Sequence, residues 1–285
     1  MKIFKMVSAA LFAAVVTSIN AQDSVPTEQN YADFGDTKTM VILDDNVMSD
    51  FNVKIKDVMS NEWKVTSYDF TTNKHFNSMI SDPSYSFLTT TTVTYPEDKT
   101  KAKYIYLSLL MGKEKARKVN TLPDLLSIPL AYSNLQDQNY TYKLASFVRF
   151  ILKHVELMKS NPKLISKTPL LYYNKNIKSL KNKTLYVVES EVQKDLRNEK
   201  AFGAVYKNKF KFVTEKEVME AIENKAKDVV FLHKVGPGNN KLETRCYNMI
   251  IGADDDEVYY FDWHKVNKKE PDALTSKDLK KMSKQ

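Results

Sequence analysis

The sequence predicts an α/β fold built twice: two duplicated βαβαβββ sandwich domains joined by a long helix. Three observations carry this. The apolar run Thr39-Met-Val-Ile-Leu-Asp-Asp45 recurs as Thr184-Leu-Tyr-Val-Val-Glu-Ser190, each a strand leading into a residue suited to capping a helix. Later landmarks repeat in the same order: Val47, Asp50 and Phe51 match Val192, Asp195 and Leu196, and Phe76 and Ile80 match Val218 and Ile222. Phe87-Leu88 then answers to Phe231-Leu232, and Leu109-Leu-Met-Gly112 to Met249-Ile-Ile-Gly252. The offset stays between 140 and 145, as a duplication with loop insertions would give.

The elements follow in order. Residues 1–21 carry Lys2 and Lys5, an apolar stretch and Ile19-Asn-Ala21, the pattern of a secretory signal peptide cleaved after Ala21. The stretch is too short to span a bilayer, and no later one is long enough, so no transmembrane segment is expected. The polar residues 22–36 are expected to form a flexible N-terminus. The first repeat, 37–135, opens with the strand Met40–Leu43. A helix capped by Asp44 or Asp45 and carrying Val47, Phe51, Ile55 and Met59 at fourfold spacing should follow. A strand over Lys64–Phe70, a short helix from Thr72 ended by Asp82-Pro83, a hairpin over Tyr85–Thr94 and Lys103–Met111, and a strand at Ile128–Tyr132 complete it.

Residues 136–183 form the connection. Tyr140, Leu144, Phe147, Val148, Ile151, Val155 and Met158 share one helical face, ended by Asn161-Pro162. Such a face packs across a sheet or between the lobes. The second repeat, 184–285, reads as strand Leu185–Val188, a helix from Glu191, and strand Lys211–Val213. Thr214 and Glu217 form a capping box, and three strands follow at Val229–Val235, Cys246–Ile251 and Val258–His264.

Charge is unevenly placed. Residues 22–162 carry 16 Lys and Arg against 17 Asp and Glu, whereas residues 163–285 carry 25 against 18, a net of +7. In an exported chain a basic surface points to an envelope protein or an anionic glycan or lipid surface, with no nucleic acid partner; a solvated lysine surface is the simpler explanation. The single cysteine forms no internal disulfide, so stability rests on core burial. Six glycines and no Walker, G-x-G-x-x-G or G-x-S-x-G motif leave phosphate-loop and serine-hydrolase chemistry without a foothold, and no cofactor is expected.

Two groups of residues are candidate sites. Tyr259, Phe261 and Trp263 alternate along the last strand and form either core or a stacking platform for sugar rings or a peptide. His233, Cys246 and His264 lie on neighbouring strands, with Asp262 on the side of His264, the outline of a thiol nucleophile or a transition-metal site. An inert buried thiol is the alternative. Asp254-Asp255-Asp256-Glu257 lacks the alternation of a calcium loop and reads as a solvated turn.

Six segments together carry a resemblance: the strand Thr39–Asp45, Trp63-Lys-Val, Ser81-Asp-Pro-Ser-Tyr-Ser-Phe-Leu88, Tyr172-Tyr-Asn-Lys-Asn176, Gly252-Ala-Asp-Asp, and Tyr259-Tyr260 with His264-Lys265. Together with the signal peptide, they resemble an uncharacterised family of exported Bacteroidota proteins, over nearly the whole mature chain. The resemblance implies export and supplies no activity or catalytic residues. Each repeat is also similar in element order to the N-terminal α/β domain of TolB-type periplasmic proteins, which implies an envelope-associated binding module. The expected function is a non-catalytic, periplasmic or cell-surface binding module with two similar lobes. The alternative is a hydrolase or metal-dependent enzyme using His233, Cys246 and His264.

Overall fold

The computed structural model describes residues 25–96, 98, 100–133, 138–238 and 243–283. The expected signal peptide therefore lies outside the described residues. Strands β1 (Lys38–Leu43), β2 (Ser67–Thr72), β3 (Tyr85–Val93), β4 (Tyr104–Met111) and β5 (Asp124–Tyr132) form one sheet in the order β2-β1-β3-β4-β5. Strands β6 (Thr184–Val188), β7 (Lys209–Val213), β8 (Val229–Val235), β9 (Arg245–Gly252) and β10 (Val258–Lys265) form a second, in the order β7-β6-β8-β9-β10. In each sheet the first strand pairs in parallel with the second and third, and the last three form an antiparallel meander. The two sheets share one topology, so the duplication read from apolar landmarks is a duplication of architecture.

Helices are α1 (Glu28–Asp33), α2 (Asp50–Glu62), α3 (Asn73–Met79), α4 (Gln138–Thr141), α5 (Leu144–Ser160), α6 (Glu199–Val205), α7 (Glu215–Glu223) and α8 (Ser276–Ser283). In the first lobe α3 brings Phe76 to Met40, Ile42, Phe87 and Leu110. On the other face, Phe51, Ile55 and Met59 of α2 pack with Val41, Leu88, Leu107 and Leu109. In the second lobe Phe202 of α6 and Leu279 and Met282 of α8 cover Leu185, Val187, Val230 and Ile250. The opposite face of that sheet, with Phe231, Met249 and Ile251, joins the same core as the first lobe.

The long helix is what joins them. Leu144, Phe147, Val148, Phe150, Ile151, Val155 and Met158 of α5 are all buried in the shared core, and the Phe147 ring lies 4.7 Å from that of His233. The space between the lobes is therefore filled with side chains along most of its length, and an open groove running between two free lobes is not what forms. Arg149 on the same helix bridges both repeats. Its Nη1 donates to Glu62 Oε1 at 2.8 Å, while Nε and Nη2 grip Asp256 at 2.7 and 2.8 Å. Ser146 Oγ adds a donor to Asp256 Oδ1 at 2.8 Å.

Four expectations are corrected. Residues 27–36 are not a loose tail: Thr27 and Asn30 make a capping box, and Tyr31 and Phe34 are buried in the core, which anchors α1 against α5. The helix after β1 begins at Asp50 under a Ser49 cap, because the Asn52 amide ties Asp44 and Asn46 into a turn and leaves Val47 76% exposed. The helix after β6 begins at Glu199, not Glu191. The backbone of Glu191 and Gln193 pairs with Leu274, so the intervening Val192 is held in a bridge instead of a helix. The acid run 254–257 is no solvated turn: Lys183 Nζ lies 3.0 Å from both Asp254 and Asp255, and Arg149 takes Asp256.

The connection from 163 to 183 also has a task. Residues Pro169–Asn182 wind in 3₁₀ turns along β10. The Asn174 side chain accepts from Phe261 N at 2.7 Å and donates to Phe261 O at 2.9 Å, and Asn176 donates to Val258 O at 2.9 Å. The β10 edge of the second sheet is thereby met by side-chain amides at Val258 and Phe261, which obstructs pairing with another chain along that stretch.

Candidate functional site

The last strand is the place where sequence alternation and structure part. Val258 pairs with Ile251 and Tyr260 with Ile250, so Tyr259 is the extra residue of a bulge. Tyr259 and Tyr260 consequently both pack into the outer core of the second lobe, with Tyr259 Oη donating to Asp255 Oδ2 at 2.5 Å. Phe261 and Trp263, opposite Met249 and Tyr247, point to the junction of the lobes. The three aromatics expected on one side are split: Phe261 and Trp263 come together, and Tyr259 does not join them.

The same register separates the polar trio. His233 lies opposite Met249, on the junction face, where Nε2 lies 2.9 Å from Pro129 O and burial depresses its basicity far below the usual imidazole range. Cys246 and His264 are opposite one another on the other face, beneath α8. His264 Nε2 is held 2.7 Å from Pro271 O. Cys246 Sγ is fully buried, lies 3.8 Å from Ala273 O, and is pushed well above the normal thiol range by desolvation. A nucleophile needs its base within hydrogen-bond reach and a path for substrate, and this arrangement supplies neither through His233. Among the described residues no group of three or more His, Cys, Asp or Glu side chains is placed to hold a metal ion. An expected result follows: a thiol reagent leaves native Cys246 unmodified, and one equivalent reacts after unfolding in guanidinium; fast labelling of the folded protein would contradict this burial.

What Phe261 and Trp263 do line is a cavity of about 460 Å³ at the lobe junction. Its walls come from β3 and the turn after it (Tyr95), β4 (Tyr106), β5 (Asp124), β9 (Arg245, Tyr247) and β10, with Tyr31 of α1 and the 166–171 segment closing one side. Tyr247 Oη donates to Tyr95 Oη at 2.7 Å, and Tyr95 and Tyr106 hydroxyls are 2.9 Å apart, so three rings from two lobes are locked in one chain. The Arg245 guanidinium sits between two rings, 3.4 Å from the Tyr95 centroid and 4.1 Å from that of Trp263. Such stacking fixes the plane of the cation and holds Trp263 in place although it is 44% exposed. An aromatic cavity with a few fixed polar groups has the composition of a ligand site.

Among the described residues one acid, Asp124, lines this cavity. Asp124 Oδ2 accepts from Ser127 Oγ at 2.7 Å, and Ser127 is bonded in turn to Ser108 at 2.6 Å and Ser108 to Thr91 at 2.8 Å. Asp124 Oδ1 is buried with no hydrogen-bond partner. Burial pushes this carboxyl up to about 6, and the Ser127 hydroxyl opposes the shift. Nearby, Tyr31 Oη donates to Leu125 O at 2.8 Å, and the buried His154 ring links Tyr31 to Tyr173. Desolvation lowers His154 to about 4, so it is neutral at ordinary pH. Two other buried acids are neutralised, Asp256 by Arg149 and Asp272 by Lys234 at 2.9 Å, whereas Asp98 Oδ2, like Asp124 Oδ1, has no partner.

The cavity could not be read from the sequence. Tyr95, Tyr106, Asp124, Arg245 and Tyr247 are scattered over 150 residues and carry no motif. The aromatic alternation on the last strand was the one signal that pointed there. No protein-family model, curated protein or solved structure matches the chain.

Proposed function

We propose that the protein is an exported, non-catalytic binding module that captures an envelope component, or a segment of an envelope protein, in the junction cavity. The observation that carries this reading is the aromatic lining contributed by both repeats, with an exposed tryptophan held against a stacked arginine at the mouth. Structural aromatics are normally covered; a large exposed ring fixed in place beside a cavity is suited to stacking on a partner. The separation of His233 from Cys246 and His264 weighs against the alternative of an enzyme built on those residues. No helix among the described residues is long and apolar enough to cross a membrane. The resemblance to exported Bacteroidota proteins and the leader-like first 21 residues support export.

The test uses the mature chain purified from its native envelope without denaturant. Native mass spectrometry should find a retained component, and Trp263→Ala should release it while the melting temperature stays close to wild type. The chain has two tryptophans, and Trp63 is buried in the core of the first lobe. In a Trp63→Phe background, adding the released component back should therefore shift the emission of Trp263 alone. A retained partner that Trp263→Ala leaves in place would move the binding site elsewhere.

A further inference from the structure

We infer that the ligand of the junction cavity presents a cationic group, the ammonium of an amine or of a peptide N-terminus, to the carboxyl of Asp124. This rests on the reading of the cavity as a binding site and adds the chemistry that site selects.

The argument starts from what Asp124 lacks. A carboxylate withdrawn from water is stabilised by a counter-ion or by donors on both oxygens. Asp256 has Arg149 and Ser146, and Asp278 has the Tyr260 hydroxyl on one oxygen and Thr275 on the other. Asp124, half-buried in the cavity wall, has one donor, the Ser127 hydroxyl on Oδ2, and its covered Oδ1 has none. Ser127 is itself oriented toward the acid by the Ser108 and Thr91 hydroxyls, so the carboxyl is held in a fixed position at the cavity wall. Burial and the Ser127 hydroxyl are what act on this carboxyl, and no cation among the described residues does. Arg245 belongs to the Tyr95 and Trp263 stack, where Tyr104 holds its backbone. The cavity wall thus carries an acid from β5 and, from β9, a cation stacked between aromatic rings. A ligand ammonium supplies the missing counter-ion, and a flat or apolar body fills the tyrosine-lined remainder.

The groups facing Asp124 set the pH response. From α1 comes Tyr31, whose hydroxyl burial holds well above its usual range; from α5, beyond Tyr31, His154, neutral above about pH 4. From β5 comes Ser127, and from the 166–171 segment Lys167. Asp124 is then the group that changes charge between pH 5 and 7.5. Cation binding requires its ionised form, so affinity should fall by about tenfold from pH 7.5 to pH 5.

The test is calorimetric titration of the mature chain with tyramine and with its neutral counterpart, 4-hydroxyphenethyl alcohol. Tyramine should bind roughly tenfold or more tightly than the alcohol at pH 7.5, as expected for a hydrogen bond to a charged group. Asp124→Asn should abolish that preference while leaving the alcohol's affinity and the fold, followed by circular dichroism, unchanged. Equal affinities that still shift Trp263 emission would overturn the ammonium assignment and leave the cavity as a site. A preference that survives Asp124→Asn, or failure of both compounds to bind at millimolar concentration, would also overturn it, and the retained-component experiment would then decide the cavity separately.

Discussion

Arg149→Met should lower stability by about 3–5 kcal/mol, the range for removing one member of a buried ion pair. Among the described residues the guanidinium is the one cation paired with Asp256, whose side chain is almost fully buried, and it also holds Glu62 of the other repeat. Methionine fills the stem's volume but leaves two acids facing one another with no positive charge between them. Because one hydrophobic core runs through α2, α5 and the inner face of the second sheet, both repeats should unfold together in a single transition. At the scaling of a domain of 150–250 residues, the loss corresponds to a melting temperature lower by roughly 6–20 °C. Asp256→Asn in the same chain should restore part of the loss, since it removes one uncompensated charge and can still accept from Ser146. Two separated transitions in the wild type, or a loss under about 1 kcal/mol, would show that Arg149 does not tie the repeats together.

How much of this could be read from the chain depends on which contacts made it. The duplication was legible because the central strands are apolar where they are covered: Met40–Ile42 is buried on both faces, and Leu185 and Val187 are buried on one with Tyr186 half-buried on the other. The capping box at Thr214 and Glu217 was legible for a similar reason: it is a local exchange of hydrogen bonds over three residues. The features that escaped are those fixed by distant chain. Leu274 draws Glu191–Gln193 out of a helix, Tyr31 finds its place in a core assembled from the other elements, and a bulge opposite Ile250–Ile251 turns Tyr259 away from Phe261. Period-two reasoning fails at one inserted residue. Asp124 shows the limit most plainly, since nothing within Leu122-Pro-Asp-Leu-Leu126 announces that its carboxyl lies in a cavity with Arg245, 121 residues away.

That same carboxyl gives the second large effect, one that runs opposite to the usual direction of a mutation. Asp124→Asn should stabilise the protein at neutral pH by about 1–3 kcal/mol, the range between the full value of a shift from 3.8 to about 6 and that value discounted for partial contact with solvent. The sign follows from linkage. The folded carboxyl binds its proton more tightly than the unfolded one, so the stabilising contribution of the neutral form is fully present below pH 4 and lost as pH rises through 6. Asparagine keeps the neutral form's shape and can still accept from Ser127 without ever ionising. The two proteins should therefore melt together near pH 4, diverge between pH 4 and 6.5, and differ by a constant amount above pH 7, with the variant the more stable. Melting curves across that range test it directly, and a variant less stable than wild type at pH 8 would mean that Asp124 is structurally satisfied as a carboxylate. A fold that keeps an acid where asparagine would serve stability better is carrying a group suited to something other than stability, which is the pattern that sites of recognition share.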